Sequence, residues 1–194
     1  MARMKVPTIV LASASPRRAE LLRSAGIPFT IEVPNITEDS KPGETPIQHA
    51  ERLAQEKSEV VAKRNEGKIV LGADTIVVVD NEILGKPRDA QDAARMLRLL
   101  SGRNHQVITG VCLARLTTSN QQLATESSRT TVAFDRIGED EINEYIATPE
   151  PMDKAGAYAI QGIASRWINK IEGDYANVVG LPVALVWKMM QNFT

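Results

Sequence analysis

One cysteine and two histidines, with no CxxC pair and no Cys/His cluster, leave this sequence unable to build a disulfide framework or a thiolate zinc site. Cys112 sits in the apolar run Val107 to Leu116 and reads as a buried structural thiol. His49 falls on the exposed side of a predicted helix and His105 in a predicted turn, so neither has the company that a metal site or a catalytic triad requires. Charge of one sign is also lacking. With 23 Lys and Arg against 24 Asp and Glu there is no basic field to draw in nucleic acid, and an anionic partner must be bound locally. No apolar run reaches the roughly 18 residues that span a bilayer, and no apolar signal core stands at the N-terminus. The expectation is a cytoplasmic protein with neither a membrane nor a nucleic-acid partner. A Walker phosphate loop is absent as well.

The 194 residues are 43% apolar and 24% charged, ordinary values for a folded chain long enough to bury a core as one domain or two closely packed lobes. Its organising stretch is Ile69 to Asp89. Ile69–Leu71 predicts a buried strand, Gly72 a break, Ile76–Val79 a second apolar run, and Asp80-Asn81 a two-residue turn returning through Glu82–Leu84. In such a hairpin Val79 faces Glu82, and extending the ladder sets Thr75 opposite Lys86 and Asp74 opposite Pro87. A strict ladder puts Asp74 and Lys86 on opposite faces, which a bulge at Gly85 would reset. These residues fit either a site at the mouth of a rigid sheet or a surface hairpin with a solvated ion pair.

Upstream, Thr8–Ala12 predicts a buried strand feeding Ser13-Ala14-Ser15, with Ser15 as N-cap and Pro16 at the first helical position of a helix that stops at Gly26. Arg17 and Arg18 in its first turn oppose the helix dipole, which points either to an anion bound there or to an exposed arginine pair. A strand Phe29–Val33 leads to a polar loop in which Glu38 and Asp39 either hold a hard cation or are solvated. Thr45, Pro46 and Gln48 then form a capping box for a helix reaching about Arg64. Its apolar stripe is Ile47, Ala50, Leu53, Ala54, Val60 and Val61, and Lys57 falls in the middle of it. Such a lysine either meets a partner inside or snorkels to the surface.

Downstream, Asp89 caps a helix with Ala90, Ala93, Ala94, Leu97 and Leu100 inward and Gly102 at its end. A strand pair, Gln106–Leu116 and Leu123–Phe134, precedes a helix from about Glu139 to Ala147. The Gly/Ala-rich segment around Asp153, Lys154, Tyr158 and Gln161 reads as irregular chain, followed by a strand near Trp167–Ile171. Pro182 starts a last helix with Leu185, Val186 and Met189 inward. Helices and strands alternating around antiparallel strands predict an α/β protein, a mixed sheet covered by helices. Arg17, Arg18, Glu38, Lys57, Asp74 and Lys86 make a set of cations and carboxylates without a nucleophilic Ser/His or Cys/His pair. That set suits a polyphosphate held with Mg²⁺, with water as nucleophile and an aspartate orienting or deprotonating it.

Six blocks in order, LASASPRRAELL (11 to 22), RLAQEK (52 to 57), GADTIV (72 to 77), GKPRD (85 to 89), DKAGAYAIQG (153 to 162) and NVVGLP (177 to 182), resemble the Maf family of nucleoside triphosphate pyrophosphatases. The resemblance implies a single domain over residues 1–194. It further implies an elongated, two-lobed α/β fold with a deep central cleft, similar to that of inosine triphosphatases, and often a homodimer. The implied reaction is metal-dependent cleavage of a nucleoside triphosphate to its monophosphate and pyrophosphate, with Mg²⁺ first and Mn²⁺ or Co²⁺ as substitutes. By position, Asp74 matches the family's proton acceptor, Lys57 and Lys86 its catalytic lysines, and Ser13, Arg17 and Arg18 its phosphate-binding loop. Glu38 and Asp74 match its metal-binding carboxylates, although Ile36-Thr37-Glu38-Asp39 stands where many members have Asp-Glu. Arg17, Thr75 and Gln161 side with the subgroup acting on dTTP and UTP, against one acting on 7-methylguanosine triphosphate. Two further readings stand beside this one: a house-cleaning enzyme for modified pyrimidine triphosphates, and a nucleotide-binding regulator of septum formation without essential turnover.

Overall fold

The computed structural model describes residues 6–193; the start of the N-terminal stretch searched for a signal core lies outside them. Strand β1 (Ile9–Ala12) is buried along its whole length and pairs in parallel with β2 (Phe29–Ile31) and with β3 (Val70–Val79). Between β1 and β2 runs helix α1 (Pro16–Ser24), capped by Ser15, whose hydroxyl accepts from the Arg18 backbone N–H, and closed by Gly26 at φ +67°. Helix α2 (Pro46–Ala62) starts on the full Thr45/Gln48 capping box. Both starts are local side-chain chemistry, so both form where the sequence places them.

The break expected at Gly72 does not form, and β3 runs unbroken through it. This glycine serves packing rather than a turn: a Cβ there would lie 2.1 Å from the Ala54 carbonyl oxygen of α2. Gly110 of β5 (Asn104–Leu116) repeats the device, since a Cβ there would lie 2.3 Å from the Ala50 carbonyl oxygen. Helix α2 therefore rests directly on strand backbone at two points, which fixes the height of the side chains it projects.

The turn Asp80-Asn81 takes φ values of +50° and +65°, as a two-residue hairpin requires, and sets Val79 opposite Glu82. Pairing of β3 with β4 (Glu82–Leu84) ends at Val77 and Leu84, so the expected opposition of Thr75 and Lys86 does not form and no bulge at Gly85 is needed. Helix α3 (Ala90–Leu100) follows, capped by Asp89, with Ala93, Ala94, Leu97 and Leu100 buried but Ala90 exposed. Then come β5, β6 (Gln121–Phe134), α4 (Glu139–Ile146), three short 3₁₀ turns, β7 (Ile168–Glu172), α5 (Tyr175–Val179) and α6 (Val183–Asn192). Of α6, Val186, Met189 and Met190 are buried and Leu185 is half-buried. Among the described residues the sheet is mixed and seven-stranded, in the order β2-β1-β3-β5-β6-β7 with β4 on β3. This is the α/β class expected, a mixed sheet with helices.

The chain divides into two compact units. One holds the chain up to Asp74 with residues 109–127 and from Gly180 onward; the other holds 75–108 and 128–179. The first is built on Leu11, Leu22, Leu71, Leu113 and Val186, with a second cluster around Val10, Val61 and Val70. The second packs Leu84, Leu97, Leu100, Phe134, Tyr145 and Trp167. Cys112 is fully buried, and burial pushes its thiol pKa up, as a structural thiol should show. His105 corrects the expected turn: it is a buried residue of β5, hydrogen-bonded through Nε2 to the Tyr158 hydroxyl at 2.8 Å. His49 is likewise buried rather than exposed, because Glu44, just ahead of α2, folds its carboxylate to within 3.1 Å of Nδ1.

Candidate active site

Lys57 points inward from α2, as its place on the apolar stripe demands, and is 7% exposed. Its ammonium is shared by two carboxylates, Asp74 Oδ1 and Glu38 Oε1, each at 2.7 Å. Asp74 ends the first unit's stretch of β3 and is 6% exposed, whereas Glu38 reaches in from an irregular loop with its side chain half exposed. An unpaired buried ammonium would be costly, and this pairing is what allows Lys57 to sit there charged. The ammonium that meets Asp74 is therefore that of Lys57, arriving from α2.

Arg18 is buried at the start of α1 and donates to three acceptors: Nε to the Gly180 carbonyl at 2.8 Å, and Nη1 to the Ala73 carbonyl at 2.8 Å and the Ser13 hydroxyl at 3.2 Å. Ser13 Oγ also accepts from the Ser15 backbone N–H. Arg18 thus ties the end of β1 to the residue before Asp74. Burial pushes its guanidinium pKa down, while the charges of Asp74 and Glu38 raise it and that of Arg17 lowers it. Those couplings put Arg17, Arg18, Glu38 and Asp74 in one electrostatic neighbourhood. Arg17 is half-buried in the same first turn.

The other three sequence-derived residues belong to the second unit. Thr75 is half-buried on β3 directly after Asp74. Lys86 is exposed just past β4, beside Gly85, whose carbonyl accepts from the Gly156 N–H at 3.0 Å. Gln161 is exposed in a turn that Glu150 holds from behind. The Glu150 carboxylate accepts from the Ile163 N–H and the Tyr145 hydroxyl, each at 3.0 Å, and packs so closely on Gly162 that a Cβ there would lie 2.1 Å from it. Glu150 escaped the sequence reading, since nothing local ties it to residue 163.

Among the described residues no three His, Cys, Asp or Glu side chains gather as a metal cage. Glu38 and Asp74 nevertheless converge on one cation, the ammonium of Lys57. Two carboxylates completed by phosphate oxygens and water are the hard-oxygen set that Mg²⁺ takes beside a nucleotide, so the residues present fit that ion.

The family model for Maf-like proteins matches residues 8–193. This chain belongs to the Maf-like protein family. Similar relatives are named dTTP/UTP pyrophosphatase. That of Koribacter versatilis is 54% identical over 94% of this chain and 93% of its own length. That of Geobacter sulfurreducens is 50% identical over 94% and 95%. Among solved structures, the Staphylococcus aureus Ham1 protein aligns with a TM-score of 0.51 at 13% identity, covering 96% of this chain and all of that one. A HAM1 protein from Coxiella burnetii aligns at 0.50 and 17%, covering 96% and 98%. At those identities the likeness is one of fold alone. No described helix of this Maf-like chain is long and apolar enough to cross a membrane.

Proposed function

We propose that this Maf-like protein is an enzyme that hydrolyses dTTP and UTP to the nucleoside monophosphate and pyrophosphate. The observation that carries the reading is the buried Lys57 ammonium held between Asp74 and Glu38, in the electrostatic neighbourhood of Arg17 and Arg18. The names of relatives at 50 to 54% identity point the same way. Water attacks the α-phosphorus, the bond from it to the α–β bridging oxygen breaks, and that electron pair leaves with pyrophosphate. The water proton passes to the Asp74 carboxylate. Lys57 and Arg17 offset charge on the phosphates, Lys86 adds to them, and Ser13 with Arg18 shapes the loop that receives them. Glu38 and Asp74 would hold the divalent cation, Mg²⁺ before Mn²⁺ or Co²⁺, which when bound neutralises phosphate charge.

Base choice falls to Arg17, Thr75 and Gln161. Uracil and thymine present two carbonyl acceptors flanking one N–H donor; Gln donates and accepts, Thr does either, and Arg only donates. Cytosine replaces that N–H and one carbonyl by an acceptor and an amino group, leaving polar groups of the protein unpaired. The test is pyrophosphate release from a panel of dTTP, UTP, CTP and dCTP with and without Mg²⁺. The expected outcome is metal-dependent release from dTTP and UTP, about two orders of magnitude or more above the cytosine nucleotides. Equal hydrolysis of CTP and UTP would remove the base assignment alone. No release from any of the four would remove the enzyme reading and leave a nucleotide binder.

A further inference from the structure

Glu38 lies in a stretch, residues 32–45, that is neither helix nor strand. Nothing in its local backbone pattern fixes where its carboxylate points, yet it meets Lys57 at 2.7 Å. Glu32 ties the start of the stretch to β1 and to Arg64 and Asn65, and its end is anchored by Arg52, five residues before Lys57 on α2. Its guanidinium grips Glu44 with two prongs, Nε to Oε1 at 2.6 Å and Nη2 to Oε2 at 2.8 Å. The same Nη2 donates to the Asp39 carbonyl at 3.0 Å, one residue from Glu38. Nη1 reaches both oxygens of Glu56 at 3.2 Å, and Glu56 in turn accepts from Lys41 Nζ at the same distance. His49 Nδ1 and the Lys41 N–H complete the shell around Glu44 Oε2, at 3.1 and 3.2 Å.

This network differs from an ordinary surface pair in two ways. The side chains of Glu44 and Arg52 are only 9% and 17% exposed, so their attraction is little screened. The planar fork also fixes direction as well as distance, which a lysine cannot reproduce. Its contacts all fall on the C-terminal side of Glu38, at residue 39 and at residues 41 and 44.

We propose that Arg52 and Glu44 are positioning residues, a clamp on the acidic loop that holds Glu38 against Lys57 and thereby sets how tightly the divalent cation binds. The proposal rests on the pyrophosphatase reading for its metal, but not for its mechanical part.

The test uses the full chain with Arg52→Lys and, as a variant that removes only charge from the other partner, Glu44→Gln. Without metal or substrate, hydrogen exchange should speed up in residues 35–44 of both variants while amides of α2 near Leu53 and Val61 stay protected. Mn²⁺ titrated into the protein and followed by electron paramagnetic resonance should bind about tenfold or more weakly to either variant, the usual effect of loosening a group that holds a metal ligand. Placed on top of Glu38→Gln, Arg52→Lys should weaken Mn²⁺ binding no further, because its effect runs through Glu38. Wild-type Mn²⁺ affinity in both variants, or a loss that adds in full to that of Glu38→Gln, would overturn the proposal. So would exchange that rises throughout α2. A wild-type chain inert toward dTTP and UTP would sink the pyrophosphatase reading instead, and the exchange experiment would still decide the clamp.

Discussion

Asp74 and Lys57 depend on each other, and the dependence can be measured residue by residue. Lys57→Met keeps the buried stem but removes the ammonium that Asp74 and Glu38 share. Breaking a buried pair from one side costs about 3–5 kcal/mol, so this variant should melt well below wild type and show almost no turnover. Asp74→Asn should fold and lose turnover by roughly two to four orders of magnitude, the usual contribution of a positioned base. The double variant should be more stable than Lys57→Met alone, because its carboxamide no longer needs a cation; the coupling is expected at about 1–3 kcal/mol. Chemical denaturation of the four proteins checks this. Simple additivity would mean that the pair is not an energetic unit. The inward aim of Lys57 is legible in the sequence, since helical spacing fixes it. Its partner is not: the hairpin suggested a lysine near Asp74, but the ladder stops at Val77 and Leu84, and the cation arrives from α2 instead.

At the level of elements, the features set by neighbouring residues are the ones the sequence shows. The caps of α1, α2 and α3 and the Asp80-Asn81 turn stand where local hydrogen bonding and backbone preference put them. Gly72 misleads because its reason lies on another element. A glycine inside a strand suggests a break, yet here it clears the way for the Ala54 carbonyl of α2. Gly72→Ala and Gly110→Ala should each cost about 1–3 kcal/mol by overpacking, or more because the obstructing atoms are backbone. Since both glycines seat the helix that carries Lys57, each variant should lose turnover as well as melting temperature. An alanine at either place that leaves both unchanged would mean that α2 is not seated on those strands. His49 misleads for a related reason: it stands at the edge of the α2 stripe, one turn before Leu53, and Glu44 and Arg52 close over its ring.

For the whole molecule, acid should act in two steps. Burial pulls the pKa of His105 down to about 4 from the usual 6.5, so between those values the unfolded chain binds a proton that the folded chain refuses. Stability therefore falls as pH drops from 6.5 to 4. Hydrogen bonds from Arg52 hold Glu44 at about 2, below its usual 4.5, and those from Arg88 and Arg95 hold Asp92 at about 2, below 3.8. A carboxylate with a depressed pKa stabilises the fold above its unfolded value and loses that contribution as pH falls toward the folded one, so a second loss follows from about 4.5 to 2. Urea titrations across pH should show both limbs, with His105→Gln flattening the upper and Glu44→Gln the lower. An unchanged slope between pH 6.5 and 4 in His105→Gln would show that His105 does not hold its neutral form on folding.

The membership of the chain was legible because six blocks recur in order, and the fold class because helical and strand periods alternate. The division at Asp74 was not, because it falls inside one unbroken strand. The reaction itself is tested most directly by incubating dTTP and Mg²⁺ with the wild-type chain and with Asp74→Asn, and measuring dTMP and pyrophosphate together. The expected result is equimolar dTMP and pyrophosphate from the wild type, with the rate of both falling at least about a hundredfold in the variant. Release of inorganic phosphate with dTDP, or undiminished pyrophosphate from Asp74→Asn, would contradict the account.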